Sequence, residues 1–103
     1  MPFVRVVNFR LQPGRAEEII ALVRQDLEEE VPPPGLLSLH ALQNVQDRDS
    51  GMLVSFFENH EAMDANTANL QADLAELAEF LAGPPSVSVY EVVIEKRVAE
   101  SGS

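Results

Sequence analysis

Residues 36–58, LLSLHALQNVQDRDSGMLVSFFE, decide the fold of this chain. Leu36 to Val45 and Met52 to Glu58 read as the two arms of a hairpin turned by Asp47-Arg48-Asp49-Ser50-Gly51. Short apolar runs on either side of an Asp/Ser/Gly cluster are the pattern of paired strands. In the first arm Leu37, Leu39, Ala41 and Val45 share a face, opposite a mixed face of Leu36, Ser38, His40, Leu42 and Asn44. In the second, Met52, Val54 and Phe56 oppose Leu53, Ser55 and Phe57. Both faces of that arm are apolar, which a strand with one wet face does not show.

Working outward, each arm is joined to a helix and then to a strand. On the N-terminal side, Pro32-Pro33-Pro34-Gly35 stops a helix predicted from about Arg15 to Glu30. Ala16, Ile19, Ile20, Val23 and Leu27 recur there at helical spacing. Glu28, Glu29 and Glu30 oppose the negative end of the helix dipole and should fray it. Before that helix, Gln12-Pro13-Gly14 ends a strand in which Phe3, Arg5, Val7, Phe9 and Leu11 alternate with Val4, Val6, Asn8 and Arg10. On the C-terminal side, Asn59 is placed to cap a second helix that carries Met63, Leu70, Leu74, Leu77 and Leu81 as a stripe to about Ala82. Gly83-Pro84-Pro85 stops it. A last strand is predicted from Val87 to Lys96. The chain is thus two strand–helix–strand halves, β-α-β-β-α-β, an α+β ferredoxin-like fold with an antiparallel four-stranded sheet. Residues 1–98 form one domain, and the small polar tail 99–103 is expected to be disordered.

Two helices cover one face of such a sheet. The other face, carrying Val4 and Val6 with Leu53 and Phe57 or their alternates, exceeds the few hundred Å² of apolar patch that monomers tolerate. A homodimer packed through that face is therefore expected, burying roughly 2,000 Å² or more in total.

The 103 residues are 46% apolar and 23% charged, which excludes global disorder. Seven basic residues against 17 acidic ones give a net charge of −10 per chain. That field repels nucleic acid and anionic lipid surfaces, so neither is an expected partner. With no Cys, thiolate catalysis, disulfides and Cys-ligated metals are absent. The start, Met1-Pro2-Phe3-Val4-Arg5, lacks the pattern of a signal peptide, and a cytoplasmic location is the expectation.

Several polar residues interrupt the apolar pattern. His40, mid-strand, has a pKa near neutrality and suits a base or donor toward a phenolic hydroxyl; otherwise it bonds a neighbour or lies at the dimer interface. Asn66 and Asn69 are poor helix formers. Met63, Asn66 and Leu70 share a helical face, so Asn66 should point inward. There its amide needs either a bound ligand or a structural bond to the sheet, with Ser55 or Tyr90 as partner. Tyr90, the one Tyr, can hydrogen-bond a ligand or simply place a ring in the core. Arg5 and Arg10 break the apolar pattern of the first strand; either could bind an anionic substrate group, but pairing with Glu91 or Glu95 on the last strand is the simpler expectation. His60 and Asp64 share a helical face but find no local third ligand for a metal. No Gly-rich phosphate loop, nucleophile elbow or zinc spacing occurs, so no nucleotide, flavin, haem or metal cofactor is indicated.

The chain resembles the antibiotic biosynthesis monooxygenase group of the dimeric α/β-barrel superfamily. The likeness rests on the opening strand followed by Leu11-Gln12-Pro13-Gly14-Arg15-Ala16-Glu17-Glu18, on Val54 to Asn66 running from strand into helix, and on Val89-Tyr90-Glu91-Val92-Val93. It implies a ligand pocket between sheet and helices, and a cofactor-independent monooxygenase acting on a phenol- or quinol-type aromatic, with His40, Asn66 and Tyr90 as site residues. The alternative is a non-catalytic homodimer that binds a small apolar or aromatic ligand. In the haem-degrading branch the site uses a strand Asn, a Trp and a helix His. Here the strand position falls on Val7, Trp is absent and the second helix has no His beyond its start, so the resemblance does not extend to haem degradation. Many relatives carry His at the position of Asn66.

Overall fold

The computed structural model describes residues 1–98; the tail expected to be disordered lies outside them. Eight-residue strands β1 (Phe3–Arg10), β2 (Leu36–Gln43) and β3 (Ser50–Phe57) and the shorter β4 (Ser86–Glu91) form one sheet in the order β2-β3-β1-β4. All its pairings are antiparallel. Helix α1 (Ala16–Glu29) links β1 to β2. Helices α2 (His60–Ala65) and α3 (Thr67–Leu77) link β3 to β4. The α+β ferredoxin-like fold is as the sequence predicts, and the sheet is open rather than closed on itself.

The register assigns every strand residue to a face. Val4 lies between Phe56 and Tyr90, and Val6 between Val54 and Ser88. Arg5 lies between Ser55 and Val89, and Val7 between Leu53 and Val87. The helices cover the face of Arg5 and Val7. The open face therefore carries Val54 and Phe56, not Leu53 and Phe57. A register shift between Leu36 and Ser38 puts Leu36 opposite Phe57 on the covered face, while Ser38, opposite Phe56, faces the other way. Strict alternation had placed Leu36 with Ser38 and His40. A bulge inserts one residue and reverses the side chains beyond it.

Three further elements depart from expectation. The second helix is not continuous: Asn66, at φ −93° and ψ −2°, separates α2 from α3, and a 3₁₀ turn (Ala78–Phe80) follows α3. The Asn59 side chain does cap α2, accepting from the Ala62 N–H at 2.8 Å. β4 ends at Glu91, short of Lys96; beyond it the Val92 N–H still donates to the Pro2 carbonyl at 2.9 Å. Past that point β1 has no residues left to pair with.

The core sits at one end of the covered face. Leu11, Ala16, Ile19 and Phe80 are buried together, with Phe9, Leu22, Val23, Leu77 and Leu81 packed against them. The end of β1 is clipped to the 3₁₀ turn, Gln12 N–H to the Phe80 carbonyl at 2.8 Å and Ala82 N–H to the Arg10 carbonyl at 2.8 Å. Toward the other end, Val7 and Phe57 are almost wholly enclosed, and Met63 of α2 is buried as well. Between these anchors α3 buries none of its residues, and the space beneath it is not filled.

Candidate functional site

That unfilled space lies between the covered face of the sheet and helices α1 and α3. It has two adjoining lobes of about 430 and 440 Å³ that share Val23, Leu27, Leu53, Leu74 and Leu77 as walls. The first lobe is mainly apolar, floored by Phe9, Ala41 and Leu53 and roofed by Ile19, Ile20 and Leu74, with Arg24, Glu28, Gln43, Arg48 and Ser50 also on its lining. The second has a polar end, where Arg5, Ser55 and Asn66 meet Asp73 of α3 and Glu30 at the end of α1. Among the described residues that line either lobe there is no His, Tyr or Met.

Arg5 is the unusual residue. The alternation of β1 sends it to the covered face beside Ser55, and both are buried, at 6% and 7% exposure. Its guanidinium lies over the Phe57 ring, 5.1 Å from the centroid, a geometry in which the ring quadrupole attracts the cation. Nη2 donates to Asn66 Oδ1 at 2.7 Å. Nε and Nη1 are buried without a hydrogen-bond partner. Among the described residues no carboxylate comes within 4.0 Å of it. The expected pairing with Glu91 or Glu95 does not form: Glu91 lies opposite Phe3, and Glu95 instead accepts from Arg97 at 2.9 Å. Arg10 pairs with Asp47 of the hairpin turn at 2.7 Å, not with the last strand.

The break at Asn66 explains why a poor helix former stands there. At the junction of α2 and α3 its side chain is aimed at the sheet, and its carbonyl oxygen accepts from Arg5. The expected structural bond to the sheet is thus made, to Arg5 rather than to Ser55 or Tyr90. Burial lowers the pKa of Arg5, opposed by the charge of Asp73; arginine side chains keep their charge in proteins. Burial also raises the pKa of Asp73, helped by Glu76 and Asp26 and opposed by Arg5. Glu30 is raised by burial and then by Asp73, Asp26 and Glu76. The lobe therefore holds one enclosed cation under an acidic rim.

His40 and Tyr90 stand on the other side of the sheet. His40 is exposed on β2, 3.3 Å from Ser38 Oγ, with its ring edge-on to Phe56 at 6.0 Å. Tyr90 is 58% exposed on β4. Two strands lie between β2 and β4, so the pair is separated by about 14 Å at the usual strand spacing. The structure thus brings Asn66 together with Arg5 and separates both from His40 and Tyr90. The signals missed in the sequence were the inward parity of Arg5 with Val7 and Phe9, and Asp73 one turn beyond Leu70. His60 and Asp64 do meet, at 3.0 Å, as an exposed pair. Among the described residues no group of three potential ligands could hold a metal, and no helix is long and apolar enough to cross a membrane.

No curated protein matches this chain. Solved structures do share its fold. Rv0793 from Mycobacterium tuberculosis superposes with a TM-score of 0.76 at 17% identity, over 94% of this chain and 100% of that one. An antibiotic biosynthesis monooxygenase gives 0.74 at 14%, over 91% and 100%. A MhuD variant with two manganese protoporphyrin IX bound per active site gives 0.73 at 22%, over 93% and 99%. The family model for antibiotic biosynthesis monooxygenase matches residues 2–82, from β1 through the helices that roof the cavity, and the chain therefore belongs to the antibiotic biosynthesis monooxygenase family.

Proposed function

We propose that this protein is a cofactor-independent monooxygenase that takes a small phenol- or quinol-type aromatic into the cavity between sheet and helices. The observation that carries this reading is the cavity itself: a mainly apolar slot roomy enough for one or two fused rings, with the buried polar pair Arg5 and Ser55 at one end. Family membership supports the reaction class. In that reaction the aromatic loses a proton, and the resulting anion is its own reductant toward dioxygen. One oxygen atom enters the ring and the other leaves as water, so no separate electron donor is consumed. Asn66 enters this reading as a ligand-facing amide; its side-chain N–H groups have no protein partner among the described residues.

The working unit is a homodimer, with the two open sheet faces packed together as a dimeric α/β barrel. The strand positions of that face are Val4, Val6, Asn8 and Arg10, with Ser38, His40, Leu42, the even residues of β3, and Ser86, Ser88 and Tyr90. In a chain with 17 acidic residues not one of these is acidic. The charge repulsion between two chains of net −10 is thereby kept away from the contact. His40 and Tyr90 become residues of this interface.

One observation favours a non-catalytic ligand-binding dimer instead: the lining offers no His, Tyr or Cys to take a proton, leaving only the carboxylates of Asp26, Glu28, Glu30, Asp73 and Glu76. The same lack of an imidazole gives a haem iron no protein ligand in the cavity. Oxygen uptake with a panel of hydroquinones and anthrones tests catalysis. Turnover of any member supports the monooxygenase; stabilisation in a thermal-shift screen without oxygen uptake supports the binding protein.

A further inference from the structure

The polar lobe holds a guanidinium with five N–H donors and, at hydrogen-bond distance, one acceptor. A buried cation left this short of partners is costly, and a cavity against it is where a partner would come from. We infer that the lobe takes an aromatic ligand carrying an oxyanion, a carboxylate or an ionised phenol, with Arg5 as its binding residue and Asn66 as the residue that positions Arg5. The inference rests on the reading of the cavity as a ligand site and names the ligand's chemistry there.

Three features fit this assignment. The Nη2–Asn66 bond uses one of the two N–H groups on that nitrogen and leaves the other, beside the unpartnered N–H of Nε or Nη1, as a two-pronged fork for a carboxylate or phenolate. The guanidinium carbon also lies over the Phe57 ring, 5.1 Å from its centroid, so the ring helps to hold the cation at the cavity wall. Third, the acids at the rim, Asp26, Glu30, Asp73 and Glu76, and the net charge of −10 hold off small inorganic anions. An anion reaches Arg5 only if an apolar body carries it in, and the adjoining lobe supplies the apolar walls. Nε and Nη1 are closed to water in this arrangement, so what pairs with them must displace a wall. Helix α3, with no buried residue, is the wall with least packing to give up.

The test is calorimetric titration of the full chain with 2-naphthoate and with neutral 2-naphthalenemethanol, which share one ring system. Wild type should bind the carboxylate at least tenfold more tightly, and inorganic phosphate should not compete. Arg5→Met should abolish that preference while binding the alcohol as wild type does, and Arg5→Lys should retain part of it. Equal affinities in wild type, or a preference that survives in Arg5→Met, would overturn the inference and leave the cavity reading standing. If neither probe binds wild type, both fall together. Circular dichroism checks that Arg5→Met folds; should it not, the wild-type preference and its reduction in Arg5→Lys decide.

Discussion

The two faces of this sheet are built from the same strands and alternate residue by residue, yet they have been given opposite tasks. The open face of Val4, Val6, Val54 and Phe56 is apolar, carries no carboxylate on its strand positions and, among the described residues, has no helix of its own chain over it. The covered face is roofed by helices but incompletely filled, and it encloses the one cation, Arg5, that β1 turns inward. On the proposed reading, a face closed by a second copy is kept free of carboxylates, so that two acidic chains can meet there. A face meant to hold a ligand must leave room and keep a polar group in reserve. The difference teaches that burial alone does not mark a core: Val4 at 9% exposure and Val7 at 2% serve different surfaces.

Breaking the open face should have the largest effect. Val6→Asp places a charge opposite Val54 in the proposed contact, and light scattering should show the dimer lost, leaving either the 11.3 kDa chain or unfolded protein. A wild type that itself runs as a stable monomer would break the comparison. On the covered face, Phe57→Ala removes the most enclosed ring, at 1% exposure, and should cost about 3–5 kcal/mol in denaturant unfolding. Gly35→Ala comes next. Gly35 sits at φ +82°, and a Cβ there would meet the Ala62 Cβ at 2.5 Å, so roughly 2 kcal/mol should be lost from the left-handed backbone and the contact.

Asn66→Ala sharpens the comparison. It takes from Arg5 its one hydrogen-bond acceptor and should cost about 1–3 kcal/mol. It should also weaken ligand binding, whereas His40→Ala on the other face should leave binding unchanged.

Much of this was legible in the sequence. The hairpin at residues 36–58, the proline stop after α1 and the Asn59 cap are local signals, and local signals survive into the structure. What was not legible depended on distant contacts. The bulge at Leu37 gives no sign in the alternation of side chains. The expected partners of Arg5, Glu91 and Glu95, were chosen by strand adjacency, and the register turns one toward Phe3 while the other lies beyond the sheet. Asn66 stood out as a poor helix former, but the reason, a helix break aimed at a buried cation, needed the fold. His40 and Tyr90 were selected by chemistry alone, and chemistry does not say which side of a sheet a residue faces.

The smallest expected effect is on pH dependence, and its sign differs by region. Glu30 and Asp73 at the cavity rim have raised pKa values in the folded state. Their stabilising contribution is present below the ordinary carboxylate range, about 4, and is lost as pH rises through their raised values. Asp47 in the hairpin turn has a lowered value, caused first by its bond from Arg10. Its contribution is present above about 4 and lost as pH falls. The melting temperature should therefore rise modestly as pH is lowered from neutral through the raised values of Glu30 and Asp73, and fall again below the ordinary carboxylate range, about 4. Glu30→Gln with Asp73→Asn should flatten the upper limb only.

The central claim, that the covered face holds the ligand and the open face holds the second copy, is tested most directly by amide NMR during titration with 2-naphthoate. Shifts concentrated at Arg5, Ser55, Asn66 and Leu70, with His40, Val54 and Tyr90 unmoved, are the predicted result. Shifts centred on His40 and Tyr90 would contradict it.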